Sequence, residues 1–278
     1  MLKYDEIGYW SEIKLDIIKE YASAYSKILS TQKRPCFYHI YIDAFAGAGK
    51  HLSKKTGEFI LGSPLNALLI SPPFKEYHLI DLNEQKIKSL EELSGSRHNV
   101  HLYHGDCNSV MLKYIIPRVR YSDYRRALCV LDPYGLHLGW EVIFNIGQMK
   151  TFDIFLNFPV ADMNRNVLWR NPEGVSKVQM DRMNRFWGDD SWQNAAYKES
   201  PQRSLFSETE FEKTSNDVIA EAFRQRLENV AGFKNVPKPI AMRNTQNAII
   251  YYLFFASNKP VAQDIIQYIF DKYSNRKA

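Results

Sequence analysis

Four apolar runs in the first half of the chain each end in an aspartate, and a helix-like segment separates each from the next. "FYHIYIDAF" carries Asp43, "EYHLIDLN" carries Asp81, "NVHLYHGD" ends in Asp106, and "RALCVLDPYG" carries Asp132. The segments between them, "GSPLNALLI", "NEQKIKSLEEL" and "NSVMLKYIIPRV", read as helices, as does "GWEVIFNIGQM" after the fourth run. A fifth strand-like run, "FDIFLNFP", ends near Asn157. β-branched and aromatic runs alternating with helices over short connections predict an α/β fold with a mostly parallel, Rossmann-like sheet covered on both faces. Ser63 is expected to cap the first of these helices, with Pro64 at its first position. Sheets of this kind take their ligands outside the C-terminal ends of the strands. The acids therefore line up along the edge where a ligand is expected.

The rest of the chain fits around that repeat. "KLDIIKEYASAYSKIL" spaces Leu15, Ile18, Tyr21, Ala22, Tyr25, Ile28 and Leu29 as one face of a helix. After Pro159 the pattern loosens into a polar, aromatic and basic stretch with one expected helix over 175–186. Alternation then resumes with the helix "SNDVIAEAFRQRLENV", the strands "KPIAMRN" and "AIIYYLFFAS", and a closing helix "VAQDIIQYIFDKY". The expected organisation is an N-terminal helical segment over 1–35 and one domain over 36–278, with an insertion at about 160–207. With 278 residues, 45% of them hydrophobic, the chain is long enough for one large core. No internal repeat is visible.

Charge and cysteine usage narrow the classes. A net charge of +5 permits an anionic partner without requiring one. The three cysteines, Cys36, Cys107 and Cys129, have no metal-like spacing, and no histidine has a partner at ligand spacing, so neither a disulfide framework nor a metal site is expected. "MLKYDEIGYW" has no apolar signal region and no run is long enough to span a membrane, so the expected location is the cytoplasm, with no membrane partner.

The turn "YIDAFAGAGKHL" (41–52) separates three nucleotide chemistries. A P-loop needs G-x-x-x-x-G-K-[ST], but Ala44 stands first and His51 follows Lys50. The dinucleotide fingerprint needs a third glycine where Leu52 stands, and a helix N-terminus for the pyrophosphate where "KHLSKKTGEF" intervenes. S-adenosylmethionine has no phosphate and asks less. Gly47 and Gly49 let the backbone pass close to its methionine part, and Asp43 helps orient the ammonium end. Asp81 ends the second strand, where a carboxylate holds both ribose hydroxyls, and Asp106 follows the third, where a polar group meets the adenine amine. Leu82 beside Asp81 and Cys107 beside Asp106 join the cofactor-contact candidates. "DPYG" follows the fourth strand, facing the reactive methyl.

Together "YIDAFAGAG", "GSPLNAL", "IDLN", "GDCN", "LDPYG" with Trp140, and "NAIIYYLFFAS" resemble a class I S-adenosylmethionine-dependent methyltransferase. More narrowly, the chain resembles the bacterial three-Cys-motif partner (TcmP) family from about residue 10 onward. That resemblance implies a seven-stranded methyltransferase sheet, cofactor binding at Asp43, Gly47, Gly49, Asp81 and Asp106, and a functional link to a separate three-cysteine protein. It implies no substrate.

Amino-nitrogen methyltransferases often carry [D/N]-P-P-[Y/F/W] at the fourth position, where the acid and a proline carbonyl accept the amine hydrogens and the ring stacks on the base. Here Asp132, Pro133 and Tyr134 are the catalytic candidates, but the ring comes one residue early and Gly135 takes its place. A plain Asp-Pro-Tyr-Gly turn is the alternative. Asn157, Arg165 and Trp169 are the substrate-binding candidates. Arg165 and Trp169 belong to a stretch of basic and aromatic residues that suits unstacked bases, or else to a lid helix packing through Val178, Met183 and Phe186. "KYIIPRVRYSDYRR" precedes the fourth strand and is expected at the opposite edge, as a solvated loop or a partner contact. Nucleic acid, a nucleotide or a peptide remain substrate candidates. A non-catalytic accessory protein that binds S-adenosylmethionine or nucleic acid, and other S-adenosylmethionine chemistry on the same scaffold, remain alternatives.

Overall fold

The computed structural model of the chain describes residues 4–199, 211–244 and 246–274. Its centre is a seven-stranded sheet of β1 (Tyr38–Asp43), β2 (Glu76–Asp81), β3 (Val100–His104), β4 (Arg125–Leu131), β5 (Phe152–Phe158), β6 (Ile240–Arg243) and β7 (Ile249–Ala256). The strands lie in the order β6-β7-β5-β4-β1-β2-β3. β1 to β5 pair in parallel, and β7 runs antiparallel to both β5 and β6. This is the sheet that the methyltransferase resemblance implies. The chain moves outward from β1 to β3 and then returns to β4, so the topology reverses between β1 and β4. Asp43 ends β1 and Asp132 follows β4, the two strands that flank this switch point, the place where open α/β sheets bind ligands.

The helices follow the expected alternation. They are α1 (Tyr9–Thr31), α2 (Ser63–Leu68), α3 (Glu84–Ser94), α4 (Cys107–Val110), α5 (Trp140–Met149), α6 (Val160–Asn166), α7 (Lys177–Trp187), α8 (Trp192–Ala196), α9 (Asn216–Asn229) and α10 (Pro260–Ser274). Side chains alternate across a strand, so each strand feeds two cores. Tyr41, Leu79, Leu128 and Phe155 pack under α1, α2 and α10. Ile42, Ile80, Cys129 and Ile154 pack against α5 and α9 on the other face. α1 is thus built into the first of these cores, through Ile18, Tyr21, Ala22 and Tyr25. After α4 the chain continues as a π turn, Met111–Ile115, and a 3-10 turn, Ile116–Arg118, ending where Pro117 removes a helix donor.

Three local features differ from the sequence reading or add to it. The stretch after Gly49 forms a hairpin, Lys50–Ser53 against Phe59–Leu61, which Glu6–Ile7 extends in parallel. Ser63 does not cap α2. Gly62 stands at the cap, with no side-chain cap bond, and the Ser63 hydroxyl goes elsewhere. In α7, Met183, Phe186 and Trp187 are buried but Val178 is 68% exposed. Val178 precedes Met183 by five residues, about 140° around the helix, so it cannot share that face. The expected insertion holds α6, α7 and α8, and its last residues, 200–207, lie outside the described residues. No helix among the described residues is long and apolar enough to cross a membrane.

Candidate active site at the C-terminal edge of the sheet

The glycine turn and the first two acids form one hydrogen-bonded unit. Asp43 is fully buried, and its carboxylate accepts the Ser63 hydroxyl at 2.6 Å and the Phe45 N–H at 3.3 Å. Burial pushes its carboxyl up to about 6 despite those bonds, and the nearby Asp132 charge adds to the rise. Gly47 and Gly49 both have positive φ, +65° and +82°. A Cβ at Gly49 would meet Leu90 at 3.0 Å, whereas the space at Gly47 is open. The Gly47 N–H donates to Asp81 Oδ2 at 2.9 Å, and the Asn83 N–H donates to Oδ1 at 2.8 Å. A carboxylate offers about four acceptor sites, so Asp81 keeps room for two more donors, such as a vicinal diol. Leu82, the next residue, is 73% exposed.

Asp106 stands at the N-cap of α4. Its oxygens accept the Ser109 N–H and hydroxyl, each at 3.0 Å, and the Asn108 amide at 3.0 Å. Burial works against its charge, but those bonds win and hold the carboxyl below its ordinary value. Asn108 also donates to the His137 carbonyl at 2.9 Å and accepts the Gly139 N–H at 2.6 Å. It thereby ties the turn after β3 to the loop after β4. Cys107 is buried, and burial pushes its thiol up to about 12, so it serves as an apolar wall and not a nucleophile.

The "DPYG" turn is wired to three other elements. Asp132 Oδ1 accepts the Asn157 amide of β5 at 2.8 Å, and Oδ2 pairs with the Lys14 ammonium from α1. Burial by itself would lower the Lys14 ammonium, but Asp132, Tyr251 and Asp43 hold it above its ordinary value. Lys14 also sits 5.2 Å from the Tyr251 ring. His51 stands in the same electrostatic neighbourhood. Burial first, then Lys14, lower its ring, which favours the neutral form, and its Nδ1 has no partner among the described residues. Pro133 is buried, while Tyr134 is 90% exposed. Gly135 takes φ +62°, and a Cβ there would lie 2.9 Å from Asp162 of α6. The glycine in this turn is therefore required both by backbone conformation and by a neighbouring carboxylate.

The structure thus joins Asp43, Gly47, Asp81, Asp132 and Asn157 along one edge and places Asp106 and Cys107 next along it. Arg165 and Trp169 belong to the segment that carries Asp162. Both are exposed, and the Trp169 indole donates to the Arg165 carbonyl at 2.9 Å. Sequence reasoning missed Lys14, Ser63, His51, Asn108 and Asp162. Lys14 had a readable signal. It precedes Ile18, Tyr21 and Tyr25 by four, seven and eleven residues, so it sits inside the apolar stripe of α1, where a lysine needs a partner. Among the described residues, no group of three His, Cys, Asp or Glu side chains could hold a metal ion.

No protein-family model matches the chain, and no curated protein matches it. Several solved structures are similar in fold. Protein LPL1258 of Legionella pneumophila is 13% identical, with 94% of this chain and 92% of that chain covered and a TM-score of 0.48. A proposed S-adenosylmethionine dependent methyltransferase of Listeria monocytogenes is 13% identical, covering 86% and 98%, with a TM-score of 0.43. A proposed methyltransferase of Thermobifida fusca is 11% identical, covering 88% and 82%, with a TM-score of 0.40. Any functional reading therefore rests on the residues of the site itself.

Proposed function

We propose that this chain is an S-adenosylmethionine-dependent methyltransferase acting on an amino nitrogen held at Asp132. The observation that carries the reading is the row Asp106, Asp81, Asp43, Asp132, placed at the C-terminal ends of four adjacent strands across the topological switch. The donor set suits the cofactor. Asp81 retains two acceptor sites for ribose hydroxyls, Asp43 offers a buried carboxyl towards an ammonium, and Asp106 presents an ionised acceptor towards an amine. Gly47 and Gly49 keep the turn free of side chains, and Leu82 and Cys107 supply apolar contact. When bound, S-adenosylmethionine supplies an electrophilic methyl group.

The chain's own residues then position the nucleophile. Lys14 and Asn157 each occupy one oxygen of Asp132, fixing the carboxylate and leaving acceptor sites for an amine N–H. As the nitrogen gains its methyl group it loses a proton, which Asp132 accepts and passes to solvent. Tyr134 offers an exposed ring beside the reacting group, and Arg165 and Trp169 offer a cation and a second ring. Nucleic acid is the favoured substrate class, ahead of a nucleotide or a peptide. A three-Cys-motif protein is the proposed partner, supported by the sequence resemblance. The Lys14–Asp132 ion pair also favours a second reading: an accessory protein that binds S-adenosylmethionine or nucleic acid, with its carboxylate permanently neutralised.

Calorimetry with S-adenosylmethionine and S-adenosylhomocysteine tests the first step, with Asp81→Ala as control. Saturable binding that collapses in the variant supports the reading, and no binding to the wild type refutes it for this chain alone. Tritiated-methyl transfer to DNA, RNA and peptides then separates the two readings. An Asp132→Ala variant that binds cofactor but has lost turnover fits the enzyme, whereas cofactor binding with no transfer to any of the three fits the accessory protein.

A further inference from the structure

The edge of the sheet opposite the candidate active site holds a cavity of about 200 Å³. Its walls are mostly apolar and aromatic and include Tyr25, Leu29, Phe37, Phe152 and Ile265. Arg126, near the start of β4, also lines it and is only 8% exposed. A guanidinium with so little exposure usually has a carboxylate for its free donors, yet none of the Arg126 nitrogens is both unbonded and cut off from solvent, so its free donors stay open to an incoming anion. Among the described residues Arg126 has no ion pair. Its hydrogen bond goes to the Arg125 carbonyl at 2.7 Å, and its guanidinium lies 4.9 Å from the Phe37 ring and 4.2 Å from the Tyr121 ring. An Arg has five N–H donors, so these contacts leave donors unused.

The neighbouring charges do not supply the missing anion. Lys150 and Lys259, both exposed, line the same cavity and add positive charge at its mouth. The acid of the cavity, Asp153, is engaged on both oxygens, by the Tyr21 and Ser257 hydroxyls. Burial raises its carboxyl above the ordinary value, so it is a poor counter-charge. Of the two arginines that open β4, Arg125 has Glu76 as its partner, whereas Arg126 turns into this apolar pocket.

We propose that this cavity binds a small aromatic carboxylate, with the ring among Tyr25, Phe37 and Phe152 and the carboxylate on Arg126. Size and chemistry agree. A cavity of about 150 Å³ suffices for benzene, so this one admits a single ring with a short acidic arm. A guanidinium fork matches a carboxylate in two parallel bonds. The site lies at the N-terminal edge of the strands and does not depend on the methyltransferase reading.

Phenylacetate and its neutral isostere phenylacetamide are the probes, titrated into the intact protein by ligand-observed NMR. The expected result is saturable binding of phenylacetate and affinity at least ~10-fold weaker for the amide, the cost of removing a charge-assisted pair. Arg126→Gln should lose the preference for the acid. Val261→Trp, at a half-exposed position on the cavity wall, should block both probes while the circular dichroism of the fold is unchanged. No binding of phenylacetate up to millimolar concentration in the folded wild type overturns the proposal. So does equal binding of the two probes, or an unaltered acid preference in a folded Arg126→Gln.

Discussion

Two acids at opposite edges of the central sheet, Glu76 and Asp43, are held in opposite ways. At the N-terminal edge Glu76 is saturated. It meets His78 at 3.0 Å, His101 at 3.3 Å and Arg125 at 3.3 Å, and bonds to Tyr38 as well. The hydrogen bond from His78 leads in holding its carboxyl down to about 2. At the C-terminal edge Asp43 is buried and pushed up to about 6, and Asp81 keeps acceptor sites open. An acid whose partners are complete is fixed as an anion and holds strands together. An acid buried away from water is costly to the fold as an anion, and such a cost is typical of functional sites.

Asp132→Ala is expected to show the largest effect. If, as proposed, it accepts the nucleophile's proton, its loss should lower turnover about 10²- to 10⁴-fold, read by tritiated-methyl transfer, with cofactor affinity nearly unchanged. Lys14→Met should lower turnover in the same direction, since Asp132 then loses the group that fixes it. If either variant keeps full activity, Asp132 belongs with the structural acids and the contrast between the edges fails.

Asp43 should reveal itself through pH. Its folded value, about 6, lies above the ordinary 3.8, so the fold favours the protonated form. Its contribution to stability is complete below about pH 4 and is lost as pH rises through 6, a change of ~3 kcal/mol at 1.36 kcal/mol per unit. Urea unfolding of wild type and Asp43→Asn between pH 4 and 7.5 should diverge by that amount, with the wild type losing ground as pH rises. Parallel curves would count against a strained acid here.

Asp81→Ala should weaken S-adenosylmethionine by about 100-fold, the loss of two hydrogen bonds to a charged group. Calorimetry reads this directly, and a change under threefold would remove Asp81 from the cofactor site.

The smallest effect belongs to the other edge. Glu76→Gln should destabilise the fold by ~1 kcal/mol, reduced from the pKa equivalent because water screens part of the cluster. Here the sign reverses. The folded value lies below the ordinary 4.5, so stability is present above pH 4.5 and fades as pH falls towards 2. Methyl transfer by Glu76→Gln should match the wild type. Lost transfer in a folded variant would join the two edges functionally.

Much of this molecule was legible in the order of its residues. The alternating runs fixed five parallel strands and the helices between them, because period-2 and period-3.6 patterns are local and survive without tertiary information. The same runs placed Asp43, Asp81, Asp106 and Asp132 on one edge, since a parallel strand that ends in an acid can only present it there. The pairing of side chains was not legible. Ser63 reads as a helix cap, yet its hydroxyl belongs to Asp43, twenty residues earlier. Lys14 reads as a lysine inside an apolar stripe that needs some partner, yet nothing local names that partner as Asp132, 118 residues away. Arg126 reads as part of a solvated basic run, yet it is buried against Phe37. Local periodicity assigns a residue to a face; only the packing of that face against the sheet decides which distant partner it meets.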